Sequence, residues 1–213
     1  CELYNGQFLY RTKMGLPQFA GLVIEAYVVR RMMENSFMLQ AAITWCSRRS
    51  HYVPSMGFVR KFFPIGTGLE RTRLAHRPWF DSRNPRFDIM FLKKVSAAKR
   101  KQQPHLPPFE PLAIEGTTIP AGIQVKAITG REEEEIVTPL IDGMYSHVLT
   151  LLTHANGKHS YHECLRLLGK ALQEKRIDHL AYMRLSASVY CPLQLYLNQH
   201  EIDGYYQYIA QWM

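Results

Sequence analysis

The chain has 213 residues and an apolar content of 46%, enough for one ordinary domain with extensions and a core that needs no metal or disulfide. Its formal charge of +8 indicates an anionic partner. The four cysteines show no C-x-x-C spacing and are too sparse for a disulfide scaffold. No uninterrupted apolar stretch reaches about 18 residues, so no membrane span is predicted.

The first predicted element is a long helix over residues 17–47. Pro17 suits a first-turn position, where its missing N–H costs nothing, and the apolar residues that follow form a wide arc. A wide arc indicates packing on more than one side. Residues 1–50 are therefore predicted to form a helical extension on a larger body.

The middle of the chain predicts mixed α and β structure. The segment "GFVRKFF", 57–63, predicts a short strand that "PIGTG", 64–68, breaks, and a helix is expected over 69–76. The strongest strand prediction is "FDIMFLK", 87–93, followed by a basic, proline-containing loop over 94–111. The segments "LAIEG" and "GIQVKAI" then predict a hairpin around "TTIPA".

A helix start is predicted at Thr129, because Thr129 and Glu132 have the spacing of a capping box. The run from Glu132 to Glu135 would then lie in the first turn, where the helix dipole favours negative charge. A helix start explains these glutamates more simply than a metal site.

From residue 144 onward every segment is predicted to be helical. The segments are "YSHVLTLLTH", the amphipathic "YHECLRLLGKALQEKR", and two shorter ones, "PLQLYLNQ" and "DGYYQYIAQWM". Residues 146–213 are therefore predicted to form a C-terminal helical extension.

The strongest functional signal is a segment with a large excess of positive charge. Residues 48–101 hold 14 lysines and arginines against 3 acidic residues, a net charge of +11, whereas residues 131–213 hold 7 against 10. The predicted RNA-binding residues are Arg48, Arg49, Arg60, Lys61, Arg71, Arg73, Arg77, Arg83, Arg86, Lys93, Lys94, Lys99, Arg100 and Lys101.

Arginine predominates in this segment, and its planar guanidinium matches phosphate oxygens bidentately. The aromatic residues interspersed with these charges could stack on unpaired bases; they are Tyr52, Phe58, Trp79 and Phe80. The alternative is a solvated basic face over core aromatics, which is disfavoured because the segment holds too few acids to neutralise it.

The sequence gives little support to a nucleotide-binding loop, a metal site or a catalytic nucleophile. The "GTG" at 66–68 follows a predicted strand and precedes a helix, but it lacks both common nucleotide-binding patterns, although a nucleic-acid phosphate could still dock there. Four late histidines raise a metal site as an alternative to surface histidines near a helix start: His147, His154, His159 and His162. No nucleophile motif is present.

One family resemblance covers roughly residues 55–145. The order of Asn84-Pro85, "RFDIMFLKK", a long loop, a hairpin and "IQVKAITGREEEEI" resembles the mitochondrial thioredoxin-like domain. This domain is shared by mitochondrial ribosomal proteins of both subunits and by a small accessory subunit of respiratory complex I. The family's E-I pair before its last helix would be Glu135-Ile136 here. The long basic loop and both flanks depart from the family.

The resemblance implies an α/β fold, in which a thioredoxin-like domain over 51–145, a mixed sheet with flanking helices, carries the helical extensions 1–50 and 146–213. It implies a structural constituent of the mitochondrial ribosome in the matrix, with the small subunit preferred. The partners would be ribosomal RNA and neighbouring mitochondrial ribosomal proteins. Because "PIGTGLE" lacks the redox cysteines, we expect no disulfide exchange. We also expect no enzymatic activity, no cofactor and no small-molecule substrate.

Two alternatives remain open. The first is an accessory subunit of a respiratory-chain complex, a module that contacts only protein and that would place acidic protein surfaces against the basic segment. The second is a metal-dependent enzyme that uses the histidines of 147–164.

Overall fold

The computed structural model describes residues 2–4, 7–9, 15–48, 53–103 and 105–212. Its centre is a mixed six-stranded sheet with helices on both faces. The described strands are β1 (Glu2–Tyr4), β2 (Gln7–Leu9), β3 (Phe62–Gly66), β4 (Ile89–Lys94), β5 (Phe109–Pro111), β6 (Gly122–Lys126), β7 (Val148–Thr150) and β8 (Val189–Tyr190). The described α-helices are α1 (Leu16–Glu34), α2 (Ser36–Cys46), α3 (Met56–Val59), α4 (Glu70–Ala75), α5 (Ala97–Gln102), α6 (Thr138–Ile141), α7 (Ser160–Gln173), α8 (His179–Ser186) and α9 (Gln199–Trp212).

The sheet runs in chain order, β3-β4-β6-β7-β8, and β5 pairs with the end of β4. The pairs β3–β4, β4–β5 and β4–β6 are antiparallel, whereas β6–β7 and β7–β8 are parallel. Strands β1 and β2 form a separate antiparallel pair. The α/β class and the mixed sheet with flanking helices are confirmed.

Strand β4 is buried on both faces, which explains why its sequence is a continuous apolar run. Ile89 and Phe91 belong to the large core beneath α1 and α2. Met90 and Leu92 point to the opposite face, where they pack with Trp79 from the segment that joins β3 to β4. The strand prediction for 87–93 is confirmed.

The predicted helix over 17–47 is two helices, because Asn35 interrupts it. Asn35 has an extended backbone with φ −121° and ψ 105°, so it cannot continue α1. Its side-chain oxygen accepts hydrogen bonds from the backbone N–H groups of Phe37 at 3.0 Å and Met38 at 3.2 Å, and these two bonds cap the start of α2. Residues of both helices belong to the large core on the sheet.

Replacing Asn35 with Ala is expected to lower the free energy of unfolding by about 1 kcal/mol, because two N–H groups of α2 lose their cap. Thr129→Ala is the matched control, since Thr129 is exposed and its change is expected to stay below about 0.5 kcal/mol. Urea unfolding of both variants measures the difference. Equal effects would show that the Asn35 cap contributes nothing.

The helix start predicted at Thr129 is displaced. The chain enters the helical segment at Glu132, after Gly130 at φ +88°, and the first helical bond runs from the Glu135 N–H to the Arg131 carbonyl at 3.0 Å. The Glu132 carboxylate accepts the Gly130 N–H at 2.9 Å. The glutamates do lie in the first turn of the π-helical stretch Glu133–Val137, so only the boundary was wrong.

Three predictions between residues 57 and 128 are also wrong in part. The strand lies at Phe62–Gly66 rather than 57–63, and Pro64 fits into it because β3 is an edge strand, where a missing N–H costs little. The basic loop contains the short helix α5, which Ser96 caps through the Lys99 N–H at 3.2 Å. The predicted hairpin is reduced to β6 and a single bridge between Ala113 and Pro120.

The purely helical character predicted for 146–213 is wrong. "YSHVLTLLTH" contains β7, and β8 follows α8, so this region completes the sheet. Val148 and Leu149 are fully buried on opposite faces, and a short apolar run of this kind has no periodicity that separates a strand from a buried helix. One core cluster contains residues from Ile24 to Ile202, so helices of both extensions pack on the same sheet.

Candidate nucleic-acid interface

Most predicted RNA-binding residues form two groups at opposite ends of the β3–β4 pair. The strand-end group lies where β3 begins and β4 ends, since Phe62 pairs with Lys93; it comprises Arg60, Lys61, Lys93, Lys94, Lys99, Arg100 and Lys101. The connection group lies between β3 and β4 and comprises Arg71, Arg73, Arg77, Arg83 and Arg86. Arg48 follows α2, and Arg49 lies outside the described residues.

A ring cluster packs the end of α4 against β3 and β5 on one face of the sheet. The rings of His76 and Phe109 are 4.7 Å apart, and Phe109 also contacts Phe63 at 5.6 Å. Phe109 pairs with Lys94 in the sheet, and Arg77 directly follows His76. The connection therefore folds back over the sheet as far as β5.

Three of the predicted cations have carboxylate partners within the protein. Glu110 accepts Lys93 Nζ at 2.9 Å and Lys99 Nζ at 3.2 Å, and the hydrogen bond from Lys93 is the main cause that lowers the pKa of Glu110. Arg73 Nε donates to Glu70 at 2.7 Å. Exposed pairs of this kind contribute at most about 1 kcal/mol, so a phosphate must displace only a weak partner.

The other predicted cations make no ion pair with any carboxylate in the described part of the chain. All ten are exposed to solvent. They are Arg48, Arg60, Lys61, Arg71, Arg77, Arg83, Arg86, Lys94, Arg100 and Lys101. The structure therefore leaves most of the positive charge of the segment without an internal partner, as its composition indicated.

The turn before β4 holds two of these cations on a defined backbone. The Asp81 side chain accepts the Arg83 N–H at 3.0 Å, and the Asn84 side chain accepts the Arg86 N–H at 3.0 Å. Side-chain bonds of this type stabilise tight turns. Arg83 and Arg86 consequently project from a fixed part of the surface, and Asn84 of the predicted N-P pair has a structural role.

The aromatic residues predicted to stack on bases serve largely in packing. Phe58 lies against Phe62 with ring centroids 5.1 Å apart, and Trp79 packs on the cluster around Met90. Phe80 is half-buried, and Tyr52 lies outside the described residues. The sequence pattern could not separate a stacking aromatic from a core aromatic.

The late histidines are dispersed rather than convergent. His147 is buried beside Trp45, and burial lowers its pKa to about 3. His154 Nε2 lies 2.7 Å from the buried Glu132, and His159 Nδ1 accepts the Tyr161 N–H at 3.0 Å at the start of α7. Among the described residues, no group of three or more His, Cys, Asp or Glu side chains is arranged to hold a metal ion.

The three described cysteines are free thiols. Cys46 and Cys164 are buried, and Cys191 is half-buried. Burial raises the pKa of Cys164 to about 12 and raises that of Cys46 as well, so neither is a thiolate at neutral pH.

A cavity of about 970 Å³ lies between α1, the turn after β3, β6 and the segment that follows β6. Its polar lining residues include Glu25, Ser82, Asp88, Gln124 and Arg131. Sequence analysis did not identify this site. Its one visible signal was a carboxylate within the apolar run "FAGLVIEAYVV" of α1.

Three carboxyl groups line this cavity, and burial disfavours the charged form of two of them, Glu25 and Asp88. Glu25 is only 6% exposed, and burial, with the nearby Asp88 as a second cause, raises its pKa to about 8. Burial likewise raises the pKa of Asp88, although its Oδ2 accepts the Val125 N–H at 2.7 Å. Glu25 therefore holds a proton at neutral pH in most molecules.

Comparison of the chain with protein-family models, with curated proteins and with solved structures gave no significant match. Among the described residues, no helix has the length and apolar character needed to cross a membrane.

Proposed function

We propose that the chain is an RNA-binding structural protein of a ribonucleoprotein particle. The observation that carries the proposal is the set of basic side chains around β3 and β4 that have no carboxylate partner in the described part of the chain. An exposed cation without an internal ion pair loses no carboxylate partner when it binds phosphate. Binding to a nucleic acid also releases counterions, which adds favourable free energy. The apolar sheet fixes where these cations project.

The finer proposal is a constituent of the mitochondrial ribosome, with the small subunit preferred and the matrix as its location. Its support is the resemblance of Asn84-Pro85, the strand after it and Glu135-Ile136 to the mitochondrial thioredoxin-like domain. The thioredoxin-like topology itself remains a prediction. The strands lie side by side in chain order from β3 to β8, and this order gives the thioredoxin-like topology no support.

The first alternative is an accessory subunit of a respiratory-chain complex that contacts only protein. In that case an acidic protein surface would cover the same basic residues. No observation on the described residues favours the second alternative, a metal-dependent enzyme, over either of these proposals.

The experiment that tests the proposal changes two unpaired cations of α5. The Arg100→Ala, Lys101→Ala variant is expected to flatten the plot of log affinity against log salt for duplex RNA by about 2 units, since each phosphate contact contributes about 0.9. Adding Lys99→Ala should flatten the plot by up to about one further unit, because the exposed pair of Lys99 with Glu110 is weak enough for a phosphate to displace. Fluorescence anisotropy with a labelled RNA duplex across a salt series gives the slopes.

The matched control is Arg166→Ala, Lys170→Ala, which removes the same charge from α7, outside the basic segment. The control should leave the slope unchanged. If both double variants shift the slope equally, net charge rather than this surface governs binding. If neither variant nor the wild type binds RNA, the protein-only alternative becomes the better account.

A further inference from the structure

We propose that the basic surface formed by the strand-end and connection groups binds double-helical RNA through the phosphates of both strands, without stacking on unpaired bases. The inference deepens the proposed function and rests on it. Three observations carry it: the packing of the aromatic side chains, the breadth of the basic surface, and the fixed backbone on which its cations lie.

The first observation is that the aromatic side chains of the basic segment pack within the protein. Phe58 lies against Phe62 with ring centroids 5.1 Å apart, and Phe63 contacts Phe109 at 5.6 Å. Trp79 packs on the small core cluster that includes Met90. Among the residues whose exposure the structure describes, the exposed phenylalanine and tyrosine side chains lie elsewhere, in α2, in α9 and after β8.

Single-stranded RNA is bound by a different kind of surface. Proteins that hold single strands place successive bases on accessible aromatic side chains, and each stacked base contributes about fivefold or more in affinity. Double-stranded RNA keeps its bases stacked in its own helix, so it is recognised by its shape, its phosphates and its 2′-hydroxyl groups. Aromatic side chains that serve the core therefore fit a duplex better than a single strand.

The second observation is that the basic side chains form a broad patch. The strand-end group and the connection group lie at opposite ends of β4, whose 6 residues span about 17 Å at about 3.3 Å per residue. The connection also crosses the face of the sheet, since His76 contacts Phe109 of β5 with ring centroids 4.7 Å apart. A groove for a single strand follows one backbone. A patch that extends both along and across the strands suits a partner with two backbones side by side.

The third observation is that the cations project from fixed backbone. Two hydrogen bonds of 3.0 Å hold the turn that carries Arg83 and Arg86. Lys94 ends β4, and further cations lie on α5, which Ser96 caps. A duplex also holds its phosphates at fixed positions. Association of two fixed arrays costs little conformational entropy, whereas a single strand would be ordered without the stacking that offsets this cost.

The test compares a labelled single-stranded RNA of about 16 nucleotides, without self-complementary sequence, with the same strand annealed to its complement. Fluorescence anisotropy with the full chain should show the duplex bound at least about tenfold more tightly at about 0.1 M salt, since each additional phosphate contact contributes about eightfold between about 1 M and about 0.1 M. Replacing the central bases of the single strand with abasic sites should change its weaker affinity by less than about twofold, because no stacked base is lost.

The Arg83→Ala, Arg86→Ala variant removes two cations from the connection group and keeps the backbone N–H groups that hold the turn. It should flatten the plot of log affinity against log salt for the duplex by about 2 units. It should also weaken the duplex more than the single strand, because a single strand reaches fewer of these cations. The matched control Arg166→Ala, Lys170→Ala, on α7, should change neither affinity.

A single strand that binds as tightly as the duplex overturns the inference and leaves the proposed function unaffected. A larger loss of single-strand affinity on removal of the bases overturns it as well, since that loss requires base stacking. Equal flattening by the control variant would show that net charge rather than this surface holds the duplex, and it also overturns the inference. Absence of binding to both RNAs overturns the proposed function instead, so the two failures are distinguishable.

Discussion

The Glu25→Gln variant is expected to exceed the wild type in free energy of unfolding by about 3–5 kcal/mol at pH 9, and by less than about 1 kcal/mol at pH 5. Burial raises the pKa of Glu25 from 4.5 in the unfolded chain to about 8 in the folded protein. The folded state therefore holds its proton more tightly, and this stabilisation is fully present below pH 4.5. It is lost as the pH rises through about 8, whereas glutamine stays neutral throughout.

Urea unfolding of both proteins at pH 5, 7 and 9 measures this difference. Glu34→Gln is the control, because Glu34 lies on the same helix but is exposed and paired with Arg30, which lowers its pKa. The difference in free energy of unfolding between Glu34→Gln and the wild type should not change between pH 6 and pH 9. If the Glu25 variant and the wild type respond equally to pH, Glu25 is ionised in the folded protein.

Replacing Leu149 with Ala is expected to lower the free energy of unfolding by about 2–5 kcal/mol, since Leu149 is fully buried in the large core. Strand β7 lies between β6 and β8, so the loss should affect the whole sheet. Unfolding should remain a single cooperative transition at a lower urea midpoint. Both far-ultraviolet circular dichroism and tryptophan fluorescence should report the same midpoint.

Leu193→Ala is the control in the same C-terminal region, since Leu193 is 80% exposed and its effect should stay below about 0.5 kcal/mol. Two separate transitions in the Leu149 variant would contradict a shared core. They would favour the division at residue 145 that the sequence pattern indicates.

The contrast between β4 and β7 shows how far local pattern predicts this fold. Both are short apolar runs buried on two faces, and β4 was identified because charged and turn-forming residues bound it. Strand β7 has histidines around it, and its pairing with β6 and β8 depends on residues far away in the chain. Periodicity over a few residues does not contain that information.

The break between α1 and α2 at Asn35 could not be predicted from local pattern for a similar reason. Its side chain caps α2 only because its backbone is extended, and the apolar pattern on either side is compatible with one continuous helix. Packing of two helices on the sheet, rather than helix propensity, selects the broken form.

The basic surface and the cavity also differ in how far the sequence predicts them. The basic surface follows from charge counts over 48–101, which need no knowledge of the fold. The ion pairs of Lys93 and Lys99 cannot be predicted from charge counts, because Glu110 reaches these lysines only through the pairing of β5 with β4. Glu25 and Asp88 are brought together by the packing of α1 on the β3 turn, and no spacing in the sequence relates them.

The most direct test of the account is the salt dependence of RNA affinity for the wild-type protein. If about half of the unpaired basic residues contact phosphate, log affinity for a duplex should fall with log salt at a slope of about −4 or steeper. Competition with an acidic protein should not abolish this binding at equal charge concentration. A slope near zero, or RNA binding that is undetectable at low salt, would contradict an RNA-binding role for the basic surface around β3 and β4.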